Sequence, residues 1–332
     1  MVTQAADAVV EIAAGTWRLG SVLGGRNVYQ YLVASEDGSE LLLVDTGTTY
    51  TPRDVIAPAL RRLDLAPDAL RLAVVTHPDV DHQGGLAGIA ELCANAVTAC
   101  GFADRALVAH PEQLLSDRYQ PYLEEHGLGY GDEDVRWIRS HYGGPVEIEL
   151  TLAGGELLRV GERELRVLHV PGHSAGHLAL HEPASGLLFS SDAVHWTGCP
   201  GVDGAPALCP TYEEVDAYLG SIELLEQVAP SELHSGHWPT RSGAEVETFL
   251  DESREFVALV DRVLLERLAE PATLGELCEA VQDGAGPWES EAQLLMFAVS
   301  GHVRRLQRQG SVGRLETGST PARYRLTSHV DR

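Results

Sequence analysis

Thr76-His77-Pro78-Asp79-Val80-Asp81-His82-Gln83-Gly84-Gly85 follows directly on the apolar run Leu72-Ala73-Val74-Val75. The run is short and rich in β-branched residues, which predicts a buried strand. The glycine pair opens a helix-like segment from Leu86 to Ala94. His77, Asp79, Asp81 and His82 therefore fall on a loop at the carboxyl end of a strand, where open α/β sheets usually place their sites. Two carboxylates packed so tightly repel each other and lose solvation, and a bound cation offsets both costs.

Working outward, further Asp and His residues come at the ends of apolar runs. Leu41–Val44 ends in Asp45-Thr46-Gly47, and Leu165–Val170 ends in Pro171-Gly172-His173-Ser174-Ala175-Gly176-His177. Gly186–Phe189 ends in Ser190-Ser191-Asp192, and Ser231–His234 ends in Ser235-Gly236-His237. The joint pattern carries far more weight than any one strand end.

This ordered set resembles the metallo-β-lactamase-fold superfamily of metallohydrolases, over roughly residues 8–250. The family pattern runs from a strand ending in Asp to T-H-x-H-x-D-H, a P-G-H, a second Asp-terminated strand and a final G-H. Asp79 stands where the family has its second His. The resemblance implies an α/β fold, an αββα metallo-β-lactamase-like sandwich. It implies one metal site from His77, Asp79 and His173, and a second from Asp81, His82 and His237. Asp192 would bridge them, and Asp45 would brace the ligand loop from behind. Asp81 would also orient the attacking water, the catalytic role, and His177 would brace its loop. His234 competes with His237, and the preceding Gly236 favours His237. His195 and Trp196, close after Asp192, are expected to line the substrate pocket.

Two divalent metal ions are expected, zinc first. The extra carboxylate of Asp79 hardens its site and also admits iron or manganese. The expected activity is hydrolysis of a small ester, thioester or lactone by a metal-bound hydroxide. A di-iron oxygen-activating enzyme is the alternative that Asp79 suggests, because related di-iron branches carry an acid there. A nucleic-acid phosphodiesterase is a further alternative.

Residues 101–145 interrupt the strand pattern with Tyr119, Tyr122, His126, Tyr130, Trp137 and His141. By resemblance this insertion is a helical cap over the site, and Tyr119 and Tyr122 are pocket candidates. The strands expected before it are Val9–Ala13, Tyr29–Ala34, Glu40–Val44 and Ala96–Cys100, with a helix opening at Thr51-Pro52. After it come Val146–Leu152, Leu157–Val160, Glu164–Val170, Leu178–His181 and Leu187–Ser190, then a helix opening at Thr211-Tyr212-Glu213-Glu214.

Residues 1–250 are thus expected to form the catalytic domain and residues 251–332 a second, small one. Helical stretches at 246–269, 273–282 and 290–309 precede two strands, Gly310–Leu315 and Tyr324–Thr327, joined by the turn Thr317-Gly318-Ser319-Thr320. This order resembles the C-terminal winged-helix-like domain of the β-lactamase-like protein 2 branch, and packing or dimerisation, giving a homodimer, is its expected role.

The 332 residues carry 24 basic and 49 acidic side chains, a net charge of −25, and every basic residue is Arg. That balance disfavours nucleic acid and anionic membranes as partners and points to a small-molecule substrate. No apolar run approaches a membrane span. Met1–Asp7 lacks the basic and apolar pattern of a secretory leader, and the five widely spaced Cys read as free thiols, so a cytoplasmic location is expected.

Overall fold

In a computed structural model, residues 3–315 and 321–327 are described. The first sheet is seven-stranded, in the order β1 (Thr3–Ala13), β2 (Thr16–Leu23), β3 (Arg26–Ala34), β4 (Leu41–Val44), β5 (Leu70–Val75), β6 (Val97–Gly101) and β7 (Leu150–Leu152). β1 to β4 pair antiparallel and β4 to β7 parallel. The chain then forms β8 (Leu157–Val160), β9 (Arg163–His169), β10 (Leu178–Glu182) and β11 (Leu187–Ser191). After a ribbon of β12 (Cys199–Pro200) and β13 (Pro206–Leu208), it adds β14 (Glu232–Ser235) and β15 (Arg241–Ser242). The second sheet runs β15-β14-β11-β10-β9-β8.

Strand period sorts the apolar runs into layers. Leu42, Val44 and Val74 meet Leu165, Val167, Leu180 and Phe189 in the core between the sheets. Their neighbours Leu41, Leu43, Ala73 and Val75 face the other way, onto Ile56, Leu60, Leu86 and Ile89 of the helical layer. That layer holds α1 (Ala57–Arg62), which continues a π-turn over Pro52–Ile56, α2 (Val80–Gln83) and α3 (Leu86–Leu92). On the far side, Ala179, Leu188 and Leu233 pack against later helices. The result is helix, sheet, sheet, helix.

The insertion is helical, as expected, with α4 (Arg105–Ala109), α5 (Pro111–Leu114), α6 (Leu123–His126) and α7 (Asp132–His141). The helix expected from Thr211 instead starts at Val215, as α8 (Val215–Val228). Thr211 to Glu214 stay extended or irregular because the Glu213 carboxylate is taken by Arg118 and Tyr122. The strand expected over Val146–Leu152 shortens to β7. β2 was not foreseen.

The C-terminal segment holds α9 (Ala244–Arg267), α10 (Leu274–Ala285) and α11 (Met296–Arg308). Its three-stranded sheet is ordered β16 (Ala272–Thr273), β18 (Arg323–Leu326), β17 (Val312–Arg314). The expected turn Thr317–Thr320 lies outside the described residues. α9 spans two cores: Phe249, Leu250 and Val257 pack on the second sheet's outer layer, whereas Phe256, Val260 and Leu264 pack with α10 and α11. Tyr122 of the insertion joins that C-terminal core. Five arginines of α11 and the small sheet pair with carboxylates. Arg304 pairs with Glu214, Arg305 with Asp216 and Asp261, Arg308 with Asp216, Arg314 with Glu125, and Arg323 with Glu276. Among the described residues, no helix is long and apolar enough to cross a membrane.

Candidate metal centre

The loops after β4, β5, β9, β11 and β14 converge on one end of the sandwich. The structure brings His77, Asp79 and His173 into one cluster and Asp81, His82 and His237 into another, with donor atoms in each within 4.8 Å of one another. Asp192 reaches the second cluster: Oδ2 is 3.1 Å from His237 Nε2 and Oδ1 is 3.7 Å from His82 Nε2. Gly236 permits this approach. A Cβ there would stand 2.3 Å from Asp192 Oδ1 and 2.6 Å from His82 Cε1.

The outer ring nitrogens fix the tautomers. His82 Nδ1 lies 2.9 Å from Asp45 Oδ2, His237 Nδ1 lies 2.6 Å from the Asn27 carbonyl, and His173 Nδ1 lies 3.3 Å from the Thr211 carbonyl. Each of these acceptors calls for an N–H at Nδ1, so Nε2 presents a lone pair to the interior. His77 Nδ1 is set the same way, 3.0 Å from Thr76 Oγ1, whose own proton goes to Asp45. The inward atoms are then mismatched without a cation. His82 Nε2 faces His237 Nε2 at 3.2 Å, while His173 Nε2 and Asp79 Oδ2, 3.0 Å apart, share the Arg118 Nη2 donor at 3.3 Å from each. His77 Nε2 and Asp192 Oδ1 are buried with no partner at all. Lone pairs facing lone pairs and carboxylates need positive charge between them, and a divalent cation fits this donor set.

Where no metal ion is held, a proton on His82 meets the same demand for positive charge. Burial works against a charge on His82, yet the carboxylates of Asp192, Asp45 and Asp81 outweigh it and lift the imidazole to about 10. Burial also opposes ionisation of Asp192, and His237 and His82 overcome it, holding the carboxyl far below its usual range.

Asp79, the departure from the family pattern, turns toward the histidines rather than outward. Its Oδ2 stands 3.0 Å from His173 Nε2 and 3.8 Å from His77 Nε2. Arg118 grips both oxygens, Nε donating to Oδ1 at 3.0 Å and Nη2 to Oδ2 at 3.3 Å. Arg118 is buried and also donates to the His173 carbonyl at 2.9 Å and to Glu213 at 3.1 Å. Sequence reasoning passed over Arg118, because nothing in Leu115-Ser116-Asp117-Arg118-Tyr119 distinguishes it from a surface arginine. An Asp with a bound Arg carries the same net charge as a neutral His. The pairing offsets part of the charge that Asp79 brings, because Glu213 shares the same guanidinium.

The remaining candidates divide. Asp45 accepts from the Thr76 amide at 2.8 Å and from Ser191 Oγ at 2.8 Å, besides its contact with His82, so it joins three loops. The His177 side chain makes no hydrogen bond, although its carbonyl accepts from the Val170 amide at 2.9 Å. Its ring stacks on His77 at 4.7 Å and 12°, and both nitrogens are buried without partners, so it steadies His77 by contact instead of bracing its own loop. His234 lies away from the centre, between Glu232 and Thr240.

A cavity of about 260 Å³ opens beside the cluster, walled by Tyr119, Tyr130, Trp137, Ile138, Trp238 and Leu294, with Asp79, Asp81, Asp192, His195 and His237 at its polar side. Tyr119 also accepts a 3.0 Å bond from the Val80 amide, which fixes the turn between Asp79 and Asp81. Tyr122 and Trp196 are not among its lining residues. The Tyr122 hydroxyl is drawn to Glu213 at 2.9 Å, and Trp196 Nε1 to Glu252 at 2.6 Å.

Residues 23–237 match the sequence profile of the metallo-beta-lactamase superfamily. The chain is similar to the acyl-coenzyme A thioesterase MBLAC2 of Bos taurus, 29% identical over 246 residues that cover 67% of this chain and 76% of that protein. It is also similar to the hydroxyacylglutathione hydrolase of Cereibacter sphaeroides, 32% identical over 166 residues, 49% of this chain and 50% of the relative. Among solved structures, a metallo-beta-lactamase family protein from Thermus thermophilus superposes with a TM-score of 0.74 at 23% identity, over 96% of this chain and 100% of that one. That last likeness is one of fold.

Proposed function

Because the chain belongs to the metallo-beta-lactamase superfamily of hydrolases, we propose that it hydrolyses a small thioester at two divalent cations, zinc in the first instance. His77, Asp79 and His173 would hold one, Asp81, His82 and His237 the other, with Asp192 between them. The observation that carries this reading is the convergence of four imidazoles on one point, with His82 Nε2 facing His237 Nε2 and with His77 Nε2 and Asp192 Oδ1 buried without a hydrogen-bond partner. Cations bound there would lower the pKa of water and polarise a carbonyl oxygen.

The chain's own residues supply the rest. Asp81 borders the cavity and sits 3.4 Å from His237, placed to orient a water and accept its proton. The aromatic wall excludes bulk solvent and receives the acyl group. The cavity lies just under the usual range for ligand pockets, which favours a short acyl chain. Both relatives named above act on thioesters by their names, which puts thioesters ahead of simple esters and lactones. The Arg118 pairing weakens the electrostatic argument for a harder, iron-type site and favours the hydrolytic reading over oxygen chemistry. The net charge of −25 likewise weighs against a phosphodiester backbone as substrate.

We read the C-terminal segment, three helices and a three-stranded sheet, as a winged-helix-like module whose role is packing. It supports the insertion through Tyr122 and supplies Leu294 to the cavity. The test is hydrolysis of a panel of thioesters, aryl esters and lactones by metal-loaded protein, followed as released thiol, phenol or acid. Turnover of thioesters that falls at least about a hundredfold in Asp81→Ala is expected. Metal-loaded protein that consumes oxygen and releases no thiol would overturn the reading.

A further inference from the structure

The cavity holds one charge that the hydrolytic machinery does not use. β2 and β3 are joined by Gly24-Gly25, both at positive φ, and the first residue of β3 is Arg26. Arg26 lines the cavity, and among the lining residues it is the sole Arg, set against Asp79, Asp81, Asp134 and Asp192. Its Nε is buried with no hydrogen-bond partner. Among the described residues it has no ion pair. The ionisable groups that feel its charge are Tyr130, Cys199 and Cys209, all raised by burial and therefore neutral at pH 7.

Other described arginines also lack an ion pair, but Arg26 is the one that lines the cavity. Acidic residues outnumber Arg 49 to 24, and Arg118 and Arg163 are both matched to carboxylates. A buried donor left without a partner costs stability, and a guanidinium more than most. The position is also held firmly. The Val202 amide donates to the Gly25 carbonyl at 2.8 Å, tying the hairpin to the β12–β13 ribbon, and the next residue, Asn27, supplies the carbonyl that orients His237. The hairpin thus places a cation and a candidate metal-binding imidazole in fixed relation.

We propose that Arg26 is the specificity residue of this cavity, binding a carboxylate or phosphate carried by the thioester substrate. The inference rests on the thioester reading above and deepens it. The planar fork of a guanidinium matches either anion in two parallel hydrogen bonds. A chain of net charge −25 repels anionic substrates at long range, so a cation inside the cavity is what allows one to dock beside the carboxylates of the centre.

Calorimetric titration of the metal-loaded protein with two non-hydrolysable thioethers tests this: S-methylglutathione, which offers carboxylates, and S-methyl-coenzyme A, which offers phosphates. Arg26→Met should weaken one of them about 10–100-fold, leave metal content unchanged and identify which anion is read, while Arg26→Lys, which keeps the charge but not the fork, should recover only part of the affinity. Wild type and Arg26→Met behaving alike toward both compounds, non-binding included, would overturn the proposal. The hydrolase reading is judged separately, by thiol release from an uncharged acyl-N-acetylcysteamine thioester, which has no anion for Arg26 to hold.

Discussion

Arg118 Nε and Asp79 Oδ1 are 3.0 Å apart, although 39 residues separate them in the chain. The arginine comes from the insertion and the aspartate from the loop after β5, so the cap is bonded to the metal-centre loop itself. Removing the cation leaves a largely buried carboxylate unpaired. In metal-free protein, Arg118→Met should lose on the order of 3 kcal/mol in urea unfolding. The double variant Asp79→His/Arg118→Met should regain most of that, because charge and counter-charge leave together. A double variant no more stable than Arg118→Met would show that the arginine acts by packing alone.

Asp45 offers a sharper probe of the centre without touching a candidate ligand. It holds His82 Nδ1 and the Thr76 amide at once. Asp45→Ala should lower metal affinity about 10–100-fold in a chelator competition while the folded spectrum persists. Unchanged affinity would mean that His82 needs no orientation.

His234 and His237 stand three residues apart and separate cleanly in space. His237→Ala should reduce bound metal by about one equivalent, measured by elemental analysis, because a coordinating imidazole is lost. His234→Ala should leave the metal content intact. Equal loss in both would contradict the placement of His234 beside Glu232.

The ion pair between Arg163 and Glu182 sets an acid limit on stability. Burial pushes the Glu182 carboxyl up, but hydrogen bonds from Arg163 and Ser185 outweigh it and hold it below its usual 4.5. The unfolded chain then binds the proton first, so stability falls with pH in this window. The advantage of wild type over Glu182→Gln should be about 2 kcal/mol above pH 4.5 and vanish as pH drops through the lower folded value. An advantage that persists at pH 2 would assign it to shape instead of charge.

The sandwich and the converging Asp and His residues were legible because each sits where an apolar run stops, a local and periodic signal. β2 escaped notice because Arg18, Gly20 and Ser21 interrupt its alternation, and only pairing with β1 and β3 makes it a strand. β16 is two residues long and exists through its pairing with β18. Tyr119 and Tyr122 looked equivalent in sequence, yet one faces the cavity and the other the C-terminal core. Arg118 and Arg26 were invisible for the same reason: their meaning lies in partners, present or missing, that only the folded chain supplies.

The central claim is that cations at the paired His and Asp clusters make this chain a thioester hydrolase. The most direct measurement strips the protein with a chelator, restores zinc stepwise and follows thiol release from an acyl-N-acetylcysteamine thioester against bound metal. Activity that is absent in the stripped protein and rises with zinc to about two equivalents per chain is the expected result. Undiminished thiol release from fully stripped protein, or none at full zinc loading, would contradict the claim.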